Sequence, residues 1–140
     1  MPLELKSIKK AIESFGRAVN IAERKEKIES VGEDELELIR AGVIQNFEFV
    51  YELCWKFMKR WIENNVGSET VDGVPRIELF RLAVENKLID SVEVWMTFHK
   101  ARNQTSHIYD NEIAIVVYEV SKKLLPEARS LYERLEAKNV

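Results

Sequence analysis

From Leu5 onward, Ile8, Ala11, Ile12, Phe15, Val19 and Ala22 recur at intervals of three and four residues. That spacing gathers side chains on one face of an α-helix and predicts an amphipathic helix over residues 3–26. KIESVGEDE then reads as a polar connection whose acidic end suits a helix N-terminus. A long helix is expected from about 34 to 64. Val43, Ile44, Phe47, Val50, Tyr51, Cys54, Trp55, Met58, Trp61 and Ile62 form one stripe on it at 100° per residue. Phe49, Leu53 and Phe57 widen the apolar arc, leaving Gln45, Glu48, Glu52, Lys56, Lys59 and Glu63 as a narrow polar strip. Surface helices of monomers carry a narrower stripe than this. Such a helix is either the centre of a bundle, covered by its own chain, or one that packs its own core and also meets another subunit.

The run NNVGSETVDGVP breaks the periodicity and reads as a loop, with Pro75 placed to open a shorter helix through about residue 86. Asp90 followed by Glu93 resembles a capping box for a fourth helix reaching about 102. Asp110 or Asn111 can cap a last helix towards 137, with Pro126 expected to kink or split it. No segment combines alternating hydrophobicity with hairpin turns. The predicted class is all-α: an antiparallel, up-and-down bundle of four to five helices in one domain spanning 1–140.

The stretch ARNQTSHIYD, residues 101–110, interrupts this pattern with a cluster of reactive and polar side chains. On an unbroken helix Arg102 and His107 would diverge by about 140°. They can act together only if the helix ends near Asn103–Ser106, or if the arginine of one chain meets the histidine of a second. Asn, Thr and Ser compete for backbone hydrogen bonds, which favours a terminating turn here. The nearby His99 reads as a structural, hydrogen-bonded histidine, and Trp61 and Trp95 as core aromatics. Lys100, Lys122 and Lys123 read as solvated surface charges that could also guide a phosphate backbone.

Composition narrows the chemistry. Hydrophobic residues make up 46% and charged residues 32% of 140 positions, a globular balance. The net charge of −3 argues against broad electrostatic adhesion to nucleic acid and confines any RNA chemistry to a local groove. The single cysteine, Cys54, lies in an apolar run and reads as a reduced packing residue. The N-terminal MPLELKSIKK has no signal-peptide apolar region, and no apolar run reaches the roughly 20 residues of a membrane span. A cytoplasmic location and no membrane partner are expected. There is no Glu-x-x-His, cysteine pair or His-x3-His, so no metal site and no cofactor are expected. A Gly-rich phosphate loop is absent, and Ser106 lacks the context of a serine nucleophile. Metal-free phosphoryl chemistry remains: histidine moves a proton near neutral pH and arginine stabilises charge on a phosphate.

Two stretches carry a family resemblance. QNFEFVYELCWKFMKRW, residues 45–61, resembles the second-helix signature of the nucleotidyltransferase substrate-binding proteins. RNQTSHIY, residues 102–109, resembles the R-x4-H-x-Y motif of the HepT-type toxins in the HEPN superfamily. The resemblance covers nearly the whole chain. It implies a homodimer, open to higher assembly, in which two motif copies face a shared groove. It also implies a metal-independent endoribonuclease, the toxin of a toxin–antitoxin pair. By position, Arg102 and His107 would be the catalytic pair and Asn103 the polar residue that follows the arginine. Tyr109 would be the site adenylylated by a minimal nucleotidyltransferase, which silences the toxin. The alternative it implies is a non-catalytic subunit that binds substrate, such as a nucleotide, for a separate nucleotidyltransferase.

Overall fold

The computed structural model describes residues 2–139. Among them are six α-helices, one 3-10 turn and no strands. The long helices are α1 (Lys6–Glu26), α2 (Glu33–Asn65), α5 (Val92–Gln104) and α6 (Asn111–Lys138). The shorter ones are α3 (Ser68–Val71) and α4 (Arg76–Glu85). The fold is the expected all-α antiparallel bundle. One turn of helix, α3, appears inside the segment read as a loop. It is seated by its buried Val71, while Gly67 (φ 151°) and Gly73 (φ 72°) supply the backbone angles at its two ends.

The 33-residue α2 spans about 50 Å at 1.5 Å per residue and touches all five other α-helices. Glu33, Asp34 and Glu35 occupy its first turn, where carboxylates complement the helix dipole. Eight members of the expected stripe are buried, whereas Trp55 and Trp61 are only half-buried. Of the three extending residues, Phe57 is buried, Leu53 is half-buried and Phe49 is 55% exposed. The wide arc is therefore explained chiefly by coverage from the chain itself: α2 is the central element. The buried side chains form one contiguous core, in which Trp95 stacks obliquely on Phe80 (5.9 Å between centroids) and edge-on against Phe98 (5.2 Å).

One helix cap differs from expectation. Ser91, not Asp90, caps α5, its hydroxyl accepting from the Val94 N–H at 3.2 Å. The Asp90 carboxylate instead pairs with Arg134 of α6 at 2.7 Å. Helix α6 runs through Pro126 without splitting. The neighbours Leu124, Leu125 and Ala128 are buried in the core, and that packing outweighs one missing hydrogen bond. No described helix is long and apolar enough to cross a membrane.

Asp110 caps α6, its carboxylate accepting from the N–H groups of Glu112 (2.9 Å) and Ile113 (3.4 Å). Asp110→Ala is expected to lower stability by about 1 kcal/mol, read as a shift of the urea midpoint at constant slope.

Candidate functional site

Helix α5 ends at Gln104, and Thr105–His107 closes into a 3-10 turn before Asp110 starts α6. The terminating turn expected for Asn-Gln-Thr-Ser is present. Thr105 is buried, and its hydroxyl donates to the Arg102 carbonyl at 2.8 Å, holding the turn to the last α-helical residues. Beyond it the chain surfaces. His107 is exposed, Tyr109 is 83% exposed, and their rings meet edge-to-face with centroids 6.0 Å apart.

Arg102 points elsewhere. Its guanidinium lies against α2, with Nη1 3.6 Å from Glu48 Oε2 and Nε 3.3 Å from Glu52 Oε1. The Nε–H does not aim at that oxygen, so the Glu52 contact is one of charge more than of hydrogen bonding. Nη1 also donates to the Thr105 hydroxyl at 3.2 Å. Nη2 makes no hydrogen bond among the described residues. Glu52 is itself fixed, because its other oxygen accepts from the Trp55 indole N–H at 3.0 Å. The two sequence signatures thus meet physically: the α2 carboxylates lie against the α5 arginine.

Arg102 and His107 share no hydrogen bond or ion pair in this chain among the described residues. Asn103 is exposed and makes no side-chain hydrogen bond among them. His107 and Tyr109 are together, and Arg102 stands with Glu48, Glu52 and Thr105. Sequence reasoning placed both glutamates only on a polar strip. The signal that could have singled them out is their spacing of four, which puts two carboxylates on one helical edge.

One turn before Arg102, His99 also faces α2. The Tyr51 hydroxyl and its Nδ1 are hydrogen-bonded at 2.9 Å, as expected for a structural histidine. Arg76, at the start of α4, stacks its guanidinium 3.4 Å from the Trp55 ring centroid. Burial raises the Tyr51 pKa, keeping that hydroxyl protonated. Burial first, then the Arg76 charge, lowers the His99 pKa, with Glu52 opposing. A histidine with a lowered folded-state pKa binds fewer protons folded than unfolded, so its contribution to stability is present above the ordinary value and lost on acidification. Lowering the pH from 7.5 to 5 is expected to destabilise the wild type more than His99→Asn, which keeps an acceptor near Nδ1 but does not titrate. Urea midpoints of both proteins across that range provide the check.

The chain and its fold have counterparts among known proteins. The family model described as "Nucleotidyltransferase substrate binding protein like" matches residues 3–137, and the chain belongs to that family. A curated relative, "Probable ribonuclease HepT" of Haemophilus influenzae, is 37% identical over 100 residues, covering 71% of this chain and 68% of that one. A solved Haemophilus influenzae structure, described as revealing the fold of a substrate binding domain of a nucleotidyltransferase, superposes with a TM-score of 0.88. The two are 30% identical, over 95% of this chain and 99% of that one. A Thermus thermophilus crystal structure, with TM-score 0.63 and 20% identity, shares the fold over 86% of this chain and 98% of its own.

Proposed function

We propose that this chain is a HepT-like toxin, a metal-independent endoribonuclease partnered with and silenced by a minimal nucleotidyltransferase. The observation that carries the reading is the anchoring of Arg102. Glu48, Glu52 and Thr105 contact Nη1 and Nε of the guanidinium, while Nη2, which makes no hydrogen bond among the described residues, can meet a phosphate beside the turn that presents His107. The 37%-identical relative named as a probable ribonuclease supports the same activity.

In the proposed reaction the ribose 2′-oxygen forms a bond to the adjacent phosphorus and the bond to the 5′-oxygen breaks. The 2′-hydroxyl proton passes to one imidazole acting as base, and the leaving 5′-oxygen takes a proton from an acid. Arg102 stabilises the charge that builds on the non-bridging oxygens. In this reading a second copy brings its motif to the same groove, as the family resemblance implies. Ile115 (54% exposed) and Val116 (57% exposed), at the start of α6 just beyond the motif, supply apolar surface for that pairing. Asn103 borders the groove as a polar contact to RNA. Tyr109, standing free in solvent, is open to attack the α-phosphorus of ATP. Its phenol oxygen gains the AMP group as pyrophosphate leaves, and the added bulk and negative charge beside His107 exclude RNA.

A second reading, a non-catalytic subunit that binds nucleotide substrate for a nucleotidyltransferase, is favoured by the 30%-identical structure described as such a domain. Cleavage of single-stranded RNA in chelator-containing buffer separates the two. The nuclease reading requires cutting that is lost in His107→Ala, and equal rates for the two proteins would leave the binding-subunit reading in its place.

A further inference from the structure

Beside Tyr109 lies a pocket of about 310 Å³ between the first third of α2 and the beginning of α6. That is the lower end of the range for small-molecule sites, about 300–1,000 Å³, and suits one nucleotide-sized group better than a strand. Its floor is apolar, made by Ala41, Ile44, Ile108 and Ile115. Its polar wall carries three charged side chains, Arg40 and the carboxylates Glu33 and Glu37.

Arg40 is 28% exposed, its guanidinium 3.6 Å from both Glu26 and Glu33 and 5.7 Å from the Tyr118 ring centre, so a phosphate would take the place of the exposed Glu33 as its partner. Glu37 is exposed and has no hydrogen-bond or ion-pair partner among the described residues. A flat, largely apolar ring fits between isoleucine side chains. A free carboxylate can accept from ribose hydroxyls or an exocyclic amine, and a guanidinium can pair with a phosphate. These are the three chemical parts of a nucleoside monophosphate, and Tyr109 stands at the rim.

From this we propose that the pocket seats the nucleoside of the AMP group carried on Tyr109. The base enters between Ile44 and Ile115, Glu37 accepts from the sugar or base, and Arg40 faces the phosphodiester. The inference rests on the reading of Tyr109 as the modified residue. It adds that the modified side chain is fixed on its own protomer, next to the His107 ring, instead of swinging freely in solvent. Silencing then comes from a docked group at a defined place.

The test uses the full chain with its isoleucine δ1-methyl groups labelled for NMR, before and after modification by the nucleotidyltransferase with ATP. A mass gain of one AMP, absent in Tyr109→Phe, establishes the modification. The expected result is that the methyl signals of Ile44, Ile108 and Ile115 shift on modification while those of Ile8, Ile12 and Ile62 stay in place. In Ala41→Trp, which fills the pocket from its exposed side, the mass gain should persist and the shifts at Ile44 and Ile108 should disappear. A phosphodiesterase should then remove AMP at least tenfold faster from Ala41→Trp than from the wild type. Full modification without methyl shifts, or with shifts that follow protein dilution instead, overturns the seat and leaves the proposed function standing. Absence of any mass gain at Tyr109 overturns the silencing reading and the seat with it.

Discussion

His107→Ala is expected to reduce RNA cleavage at least about 100-fold, the lower end of what a positioned acid or base contributes. Stability should hardly change. The ring is exposed and lies edge-to-face against Tyr109, and surface substitutions of that kind stay within about 0.5 kcal/mol. Arg102→Ala should abolish cleavage to a similar extent but carry a visible folding cost, because it leaves Glu48 and Glu52 as like charges four residues apart on α2. Arg102→Lys tests geometry apart from charge. An ammonium keeps the charge yet cannot both reach the α2 carboxylates and present a second donor edge to phosphate, so cleavage should remain low while stability recovers. Initial cleavage rates in chelator, set beside urea midpoints for the same variants, read both axes. Loss of cutting in step with unfolding would assign these residues to structure instead of chemistry.

The largest effect on folding is expected at Trp95. Its side chain is fully buried between Phe80 and Phe98, so Trp95→Ala should cost about 3–5 kcal/mol through lost burial and the cavity left behind. That is a large part of the roughly 5–15 kcal/mol available to a domain. Trp95→Phe should be much milder. The indole N–H is buried without a hydrogen-bond partner, and removing it relieves a desolvation penalty of about 1–3 kcal/mol that offsets part of the lost volume. Denaturation midpoints of the two variants should therefore be widely separated, and similar values would show that the N–H carries no such penalty.

Helical period made most of the fold legible. The stripes of α1 and α2 mark the core faces directly because each face is buried continuously by neighbours. Less legible was how far the chain covers its own central helix: Phe57 and Phe49 lie on the same widened arc, yet one is buried and the other open. Local caps were readable only where no distant partner competed. Asp110 serves as expected, while Asp90 is drawn away by Arg134, which lies 44 residues further along. The motif turn could be located from Asn-Gln-Thr-Ser, but the direction of Arg102 could not. It is set by carboxylates on a helix some 50 positions earlier, and periodicity within α5 carries no information about them. The pocket beside Tyr109 likewise arises from two segments, around residues 40 and 110, whose meeting is a tertiary event.

The first and last described segments also meet. The Leu3 N–H donates to the Asn139 side-chain oxygen at 2.7 Å, and the Asn139 amide donates back to the Leu3 carbonyl at 3.0 Å. This reciprocal clasp ties the residues before α1 to those after α6, so neither can fray without releasing the other. Amide hydrogens of the two terminal segments should exchange as one cooperative unit. Any polypeptide joined at either side would depart from a common point, and a short bridge between the two would turn the bundle into a closed ring with little strain.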